Sequence, residues 1–201
     1  DGNTIIPFEK DGLKVVSIGR LVEPEKALVW RGPMAHGAFR QLALQSEWGE
    51  LDHLIVDLPP GTGDVPLTLA QLLPLTGAVV VCTPQKVAQD DARRAIRMFQ
   101  QLGVSILGVV ENMAGFTAPD GTTIDLFGRG GAEDMAASMS LPFLGRLPIH
   151  PELAARGDAG EPATCHDIEG LGDTLQSLGT AFDHRIRMAE RGEDRPTLVI
   201  R

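Results

Sequence analysis

Short apolar runs alternate with longer amphipathic stretches along this chain. Residues 15–21 (VVSIGRL) predict a strand. Residues 54–58 (LIVDL) predict a second one, buried on both faces, because a dense Leu/Ile/Val run stops abruptly at Pro59-Pro60-Gly61. Residues 78–82 (AVVVC) and 104–110 (VSILGVV) have the same character, and 143–147 (FLGRL) is a weaker fifth. Between them, 86–102 places Ala88, Ala92, Ala95, Ile96, Phe99 and Leu102 at spacings of three and four, the signature of a helix with one apolar face. Gly103 follows where a helix-ending glycine is expected. Further helices are predicted at 64–73, 131–139 and 167–189, the last interrupted by glycines. Strands alternating with helices of this length predict an α/β fold with a mostly parallel sheet flanked by helices.

Composition narrows this picture. Hydrophobic residues make up 43% of 201, but with Phe 7, Trp 2 and Tyr 0 the core has to be aliphatic. A net charge of −9 without a basic cluster argues against a nucleic-acid partner. The longest apolar runs, 76–83 and 104–110, fall far short of the ~20 residues of a membrane span. No signal-peptide pattern follows Asp1, and two cysteines are too few for a disulfide framework. A cytoplasmic protein with no membrane attachment is expected: one domain over residues 1–190 and a tail at 191–201.

The chemistry concentrates after the 54–58 run. Asp57-Leu58-Pro59-Pro60-Gly61-Thr62-Gly63-Asp64 places a carboxylate at a strand end, where it needs a cationic or hydrogen-bonding partner. In phosphate-handling folds that partner is Mg²⁺ and its waters. Gly61 and Gly63 allow backbone N–H groups to approach a phosphate closely, and Asp64 stands where it can cap the next helix. The plainer alternative is a tight strand–helix turn in which Asp57 and Asp64 are ordinary caps.

This run resembles the switch II segment of the Mrp/NBP35 family of P-loop ATPases, which carry iron–sulfur clusters. Trp30-Arg31-Gly32-Pro33-Met34, Trp48-Gly49-Glu50-Leu51-Asp52, Thr83-Pro84-Gln85, Glu111-Asn112-Met113, Phe127-Gly128-Arg129-Gly130-Gly131, Leu147-Pro148-Ile149 and Gly157-Asp158-Ala159-Gly160 follow in family order. The resemblance covers roughly residues 5–162. It implies a P-loop NTPase architecture of the MinD/ParA type with a deviant Walker A loop, ATP and Mg²⁺ as cofactors, and slow ATP hydrolysis at a homodimer interface. Asp57 would hold Mg²⁺ through water, and Gly61, Thr62, Gly63 and Asp64 would sense the γ-phosphate. Asn112, just beyond a strand end, would hydrogen-bond the adenine edge, and Pro148, after the next strand, would wall the base pocket. Iron–sulfur apoproteins or scaffold proteins would be the partners.

Two departures stand out. The lysines Lys10, Lys14, Lys26 and Lys86 neither follow a glycine nor precede Ser or Thr, so the sequence contains no Walker A loop. The expectation is that an N-terminal βαβ unit is missing and that the chain is the C-terminal part of a longer protein. The family's Cys-Pro-x-Cys pair is also absent, since Phe116-Thr117-Ala118-Pro119-Asp120-Gly121 occupies that stretch. Cys82, inside a strand, reads as a small hydrophobe, and Cys165 beside His166 in a loop makes no metal site. His36, His53, His150 and His184 lack metal-ligand spacing. The leading reading is an ATP-binding iron–sulfur cluster carrier or assembly factor. Alternatives are a non-enzymatic partner-binding remnant of that fold and a MinD/ParA-like partitioning ATPase.

Overall fold

The structure is a computed structural model that describes residues 4–21, 32–58 and 64–192. The chain divides into two compact units, residues 1–74 and 75–201.

In the first unit a hairpin of β1 (Phe8–Lys10) and β2 (Leu13–Val15) precedes a single turn, α1 (Ile18–Leu21). The strand predicted at 15–21 therefore ends at Val15. Asp11 and Gly12, both at positive φ, make the turn that sends the chain back, a local cue stronger than the apolar run. Helices α2 (Gly32–Leu44) and α3 (Asp64–Leu72) pack on each other. Trp48 ties the intervening segment down: its indole N–H donates to the Ala43 carbonyl (3.1 Å), and its own carbonyl accepts from Lys14 Nζ (2.6 Å). Residues 54–58 form no strand. No described residue offers them a ladder partner, and a strand exists only by pairing; Leu54 and Ile55 stay 42% and 77% exposed.

The second unit carries the sheet. Strands β3 (Ala78–Cys82), β4 (Ile106–Thr117) and β6 (Phe143–Ile149) run parallel in the order β3-β4-β6. Helix α4 (Lys86–Gln101) joins the first pair, and α5 (Gly131–Ser138) lies between β4 and β6 in sequence. A short β5 (Thr123–Ile124) folds back antiparallel on the far end of β4. Ala92, Ile96 and Phe99 are the buried positions of α4, three of the six predicted for its apolar face. With Val109, Ala132, Met135 and Ala136 they belong to an aliphatic core, each full-sized side chain stabilising by about 1.5–3 kcal/mol.

After β6 come α6 (Pro151–Asp158), a 3₁₀ turn (Pro162–Asp167) and α7 (Gly172–Glu190), which packs on β6 and β4. The helix predicted from 167 starts instead at Gly172, because Gly170 at φ +75° breaks the chain direction first. Cys165 is not in an open loop. It is 5% exposed, clustered with Ile168 and Leu171 under Leu147, Leu153 and Leu175. Among the described residues no helix is long and apolar enough to cross a membrane.

Candidate functional site

A parallel sheet directs its ligand chemistry to the carboxyl ends of its strands. In the second unit those ends carry Cys82, Glu111-Asn112-Met113 and Arg146 to His150. Cys82, Glu111 and Arg146 stand in one register row across β3, β4 and β6. Glu111 is fully buried, yet every described neighbour that matters compensates its charge. Its carboxylate accepts from Arg146 Nε (3.1 Å), from the Gly130 N–H (3.1 Å) and from the Ala132 N–H (2.8 Å). The last two belong to the start of α5, where an anion is favoured by the helix dipole and by unpaired amides. Arg146 extends the arrangement outward to Glu133 in the first turn of α5, and its guanidinium lies 5.3 Å from the Phe143 ring centroid.

Cys82 feels this carboxylate. Burial, and next the negative charge of Glu111, push its thiol up from 9.0 to about 11. The neutral thiol is thus the folded form, which disfavours metal ligation, since the thiolate is the ligand. The sign of the pH effect follows. Below pH 9 the folded and unfolded chains both carry the thiol; between about 9 and 11 only the unfolded chain ionises. Stability contributed by Cys82 is therefore lost as pH rises through that window. Urea titrations above pH 9 should show a steeper loss for the parent than for Cys82→Ala, and equal slopes would refute the shift. Among the described residues no group of three His, Cys, Asp or Glu side chains is placed to hold a metal ion.

Asn112 follows Glu111 on β4 and lies inside the strand, not beyond its end. There the β4–β6 ladder becomes irregular: Asn112 pairs with Leu147, and the next partners are Phe116 and Ile149. Met113 at φ +57° and Gly115 at φ +89° make the bulge. Asn112 Oδ1 accepts from the Met113 N–H (2.9 Å), which leaves its Nδ2 without a hydrogen bond among the described residues. Pro148 likewise lies within β6 rather than after it. Its missing N–H is tolerated because it falls in the irregular stretch between Leu147 and Ile149. The sheet thus sets Asn112 and Pro148 on adjacent strands.

The remaining predicted site residues belong to the first unit. Asp57 is exposed and makes no ion pair among the described residues. Asp64 opens α3. Gly61, Thr62 and Gly63 lie outside the described residues, as do Trp30 and Arg31. Sequence reasoning missed Glu111 and Arg146. The available signal was a lone carboxylate ending the apolar run 104–110 and a lone guanidinium inside 143–147, each demanding a partner if buried.

Known proteins resemble this arrangement and its sequence. Residues 1–179 match the family described as ParA: NUBPL iron-transfer P-loop NTPase. The chain is 49% identical over 191 residues to the iron–sulfur cluster carrier protein of Synechocystis sp., covering 94% of this chain and 54% of that protein. It is 46% identical over 163 residues to the iron–sulfur cluster transfer protein NUBPL of Dictyostelium discoideum, covering 81% and 50%. A nucleotide-binding protein from Archaeoglobus fulgidus, solved in complex with ADP, shares the fold with a TM-score of 0.66 and 36% identity, over 81% of this chain and 63% of that one. The chain spans about half the length of the curated relatives it matches. The parallel sheet with its flanking helices and the match over nearly its whole length agree, and the chain belongs to the Mrp/NBP35 family of ParA/NUBPL-type P-loop NTPases.

Proposed function

We propose that this chain is the nucleotide-responding part of an iron–sulfur cluster carrier, in which ATP binding and hydrolysis govern delivery of a cluster to apoproteins or scaffold proteins. The observation that carries the reading is the Asp57–Asp64 run, present in a chain about half identical to proteins named as such carriers. The whole of residues 1–190 acts as one NTPase domain, working as a homodimer in the cytoplasm.

The residues present fit Mg²⁺ and nucleotide. Asp57, exposed and unpaired among the described residues, suits a carboxylate that receives a hydrated cation. Gly61, Thr62, Gly63 and Asp64 follow it closely enough to move with the γ-phosphate. Asn112 keeps a free amide donor for the adenine edge, and Pro148 on the adjacent strand supplies a rigid wall. When bound, Mg²⁺ neutralises charge on the transferring phosphoryl group. The cluster is cargo, and the two cysteines do not fit it: both are buried, and the Cys82 thiol is held neutral. Replacing both by serine should therefore leave the iron and sulfide content of the reconstituted protein unchanged; loss of its absorbance would contradict this.

A partner-binding protein that no longer uses nucleotide is the second reading, favoured by the lack of any lysine following a glycine. One experiment separates the two. Protein expressed from its complete reading frame is loaded anaerobically with iron and sulfide and mixed with an apo-ferredoxin, with and without Mg–ATP. The carrier reading expects transfer whose rate responds to Mg–ATP, and Asp57→Asn should remove that response and slow phosphate release at least about tenfold. Transfer indifferent to ATP, with phosphate release unchanged by Asp57→Asn, would favour the second reading.

A further inference from the structure

We infer that Arg146 is a positioning residue for base recognition, acting through Glu111 to fix the point on β4 from which Asn112 projects. The inference rests on the proposed role of Asn112 at the adenine edge and adds the device that holds it.

The β4–β6 ladder loses its regularity immediately after Asn112, and two positive-φ residues follow within three positions. Backbone pairing alone therefore anchors Asn112 from one side only. The side chains of the preceding register row supply the rest. Glu111 joins β4 to the start of α5 through the Gly130 and Ala132 amides and to β6 through Arg146. Arg146 is the only cation on that carboxylate among the described residues, and it is fixed on its other side by Glu133 and by the Phe143 ring. A planar guanidinium can hold two carboxylates and an aromatic face at once, which an ammonium cannot. Successive residues on a strand face opposite ways, so the clamp on Glu111 leaves the Asn112 amide unobstructed on the other face. Removing Arg146 leaves a buried carboxylate short of its counter-charge, which then shifts or takes in water, and the adjoining backbone moves with it.

Base recognition and general nucleotide affinity separate in the ratio of ITP to ATP dissociation constants. Hypoxanthine replaces the adenine amine by a carbonyl and the N1 acceptor by an N–H, reversing both groups that an Asn amide reads. Titration calorimetry on the protein from its complete reading frame, with Mg–ATP and Mg–ITP, should give an ITP-to-ATP ratio of about tenfold or more. Asn112→Ala should bring the ratio close to one. Arg146→Met should lower it at least about threefold with the ITP constant unchanged, and Arg146→Lys should restore part of it. Circular dichroism at the titration temperature confirms that each variant is folded, and Arg146→Lys serves should Arg146→Met fail that check. An unchanged ratio in the Arg146 variants, with the ratio lost in Asn112→Ala, overturns this inference alone. No preference for ATP in the parent, or a preference that survives Asn112→Ala, overturns the reading of Asn112 itself.

Discussion

Replacing Glu111 by alanine should lower the free energy of unfolding by about 3–5 kcal/mol, the range for removing one member of a buried, hydrogen-bonded charge pair. The carboxylate is fully buried and receives three donors, so its loss does more than open a cavity. Two amides at the start of α5 lose their acceptor, each at about 1–3 kcal/mol if water does not replace it. Arg146 is 35% exposed and can turn toward solvent, which limits its share of the cost. Glu111→Gln keeps the shape but turns a donor toward a donor, so it should fall between the parent and the alanine variant. Urea unfolding followed by circular dichroism measures both. A loss below about 1 kcal/mol for Glu111→Ala would mean that water already satisfies these groups.

Gly131→Ala should cost about 2–3 kcal/mol, toward the upper part of the range for forcing one extra methyl into a packed site. A Cβ at this position would overlap Gln89 Nε2 and the carbonyl oxygen of Pro84. The Gln89 side chain can swing away, although it would give up its 2.7 Å hydrogen bond to that same carbonyl. The carbonyl is backbone at the junction of β3 and α4 and cannot. The double variant Gly131→Ala, Gln89→Ala should therefore recover only part of the loss. Gly121→Ala is the control: it has φ +84° and nothing within 4 Å of its Cβ, so it should show only the backbone penalty of about 1 kcal/mol. Equal costs at the two glycines would show that close approach to Pro84 is not what Gly131 serves.

The parallel unit was legible because its signals are local and redundant. Residues 78–82 and 86–102 announce a strand and a one-faced helix by periodicity alone, and Ala78–Cys82 and Lys86–Gln101 are what form. Residues 54–58 carried an equally clear apolar pattern but make no strand, since pairing depends on a partner that the pattern cannot supply. The opposite failure occurs at β5, where Thr123 and Ile124 pair with Thr117 and Phe116 without any apolar run to announce them. In the site, Asn112 and Pro148 came from motif resemblance, which says nothing of the strand bulge on which both sit. Glu111 and Arg146 escaped because 35 positions separate them, and only the register of β4 against β6 makes them neighbours.

The order β3-β4-β6 has a consequence for how the chain acquires its structure. Each parallel strand pairs with the next one made, so paired residues are only about 30 positions apart, and each doubling of that loop would add only about 0.6 kcal/mol of closure cost. A parallel sheet with interleaved strand order would have to wait for distant partners. Here β3, α4 and β4 can associate as soon as all three have left the ribosome, and α5 and β6 then add to an edge already formed. The Glu111–Arg146 bond is the last charge pair of this sequence to close, and its closing locks the start of α5 against two strands at once. Assembly of the strand edge that bears Asn112 is thereby coupled to arrival of the final strand of the sheet.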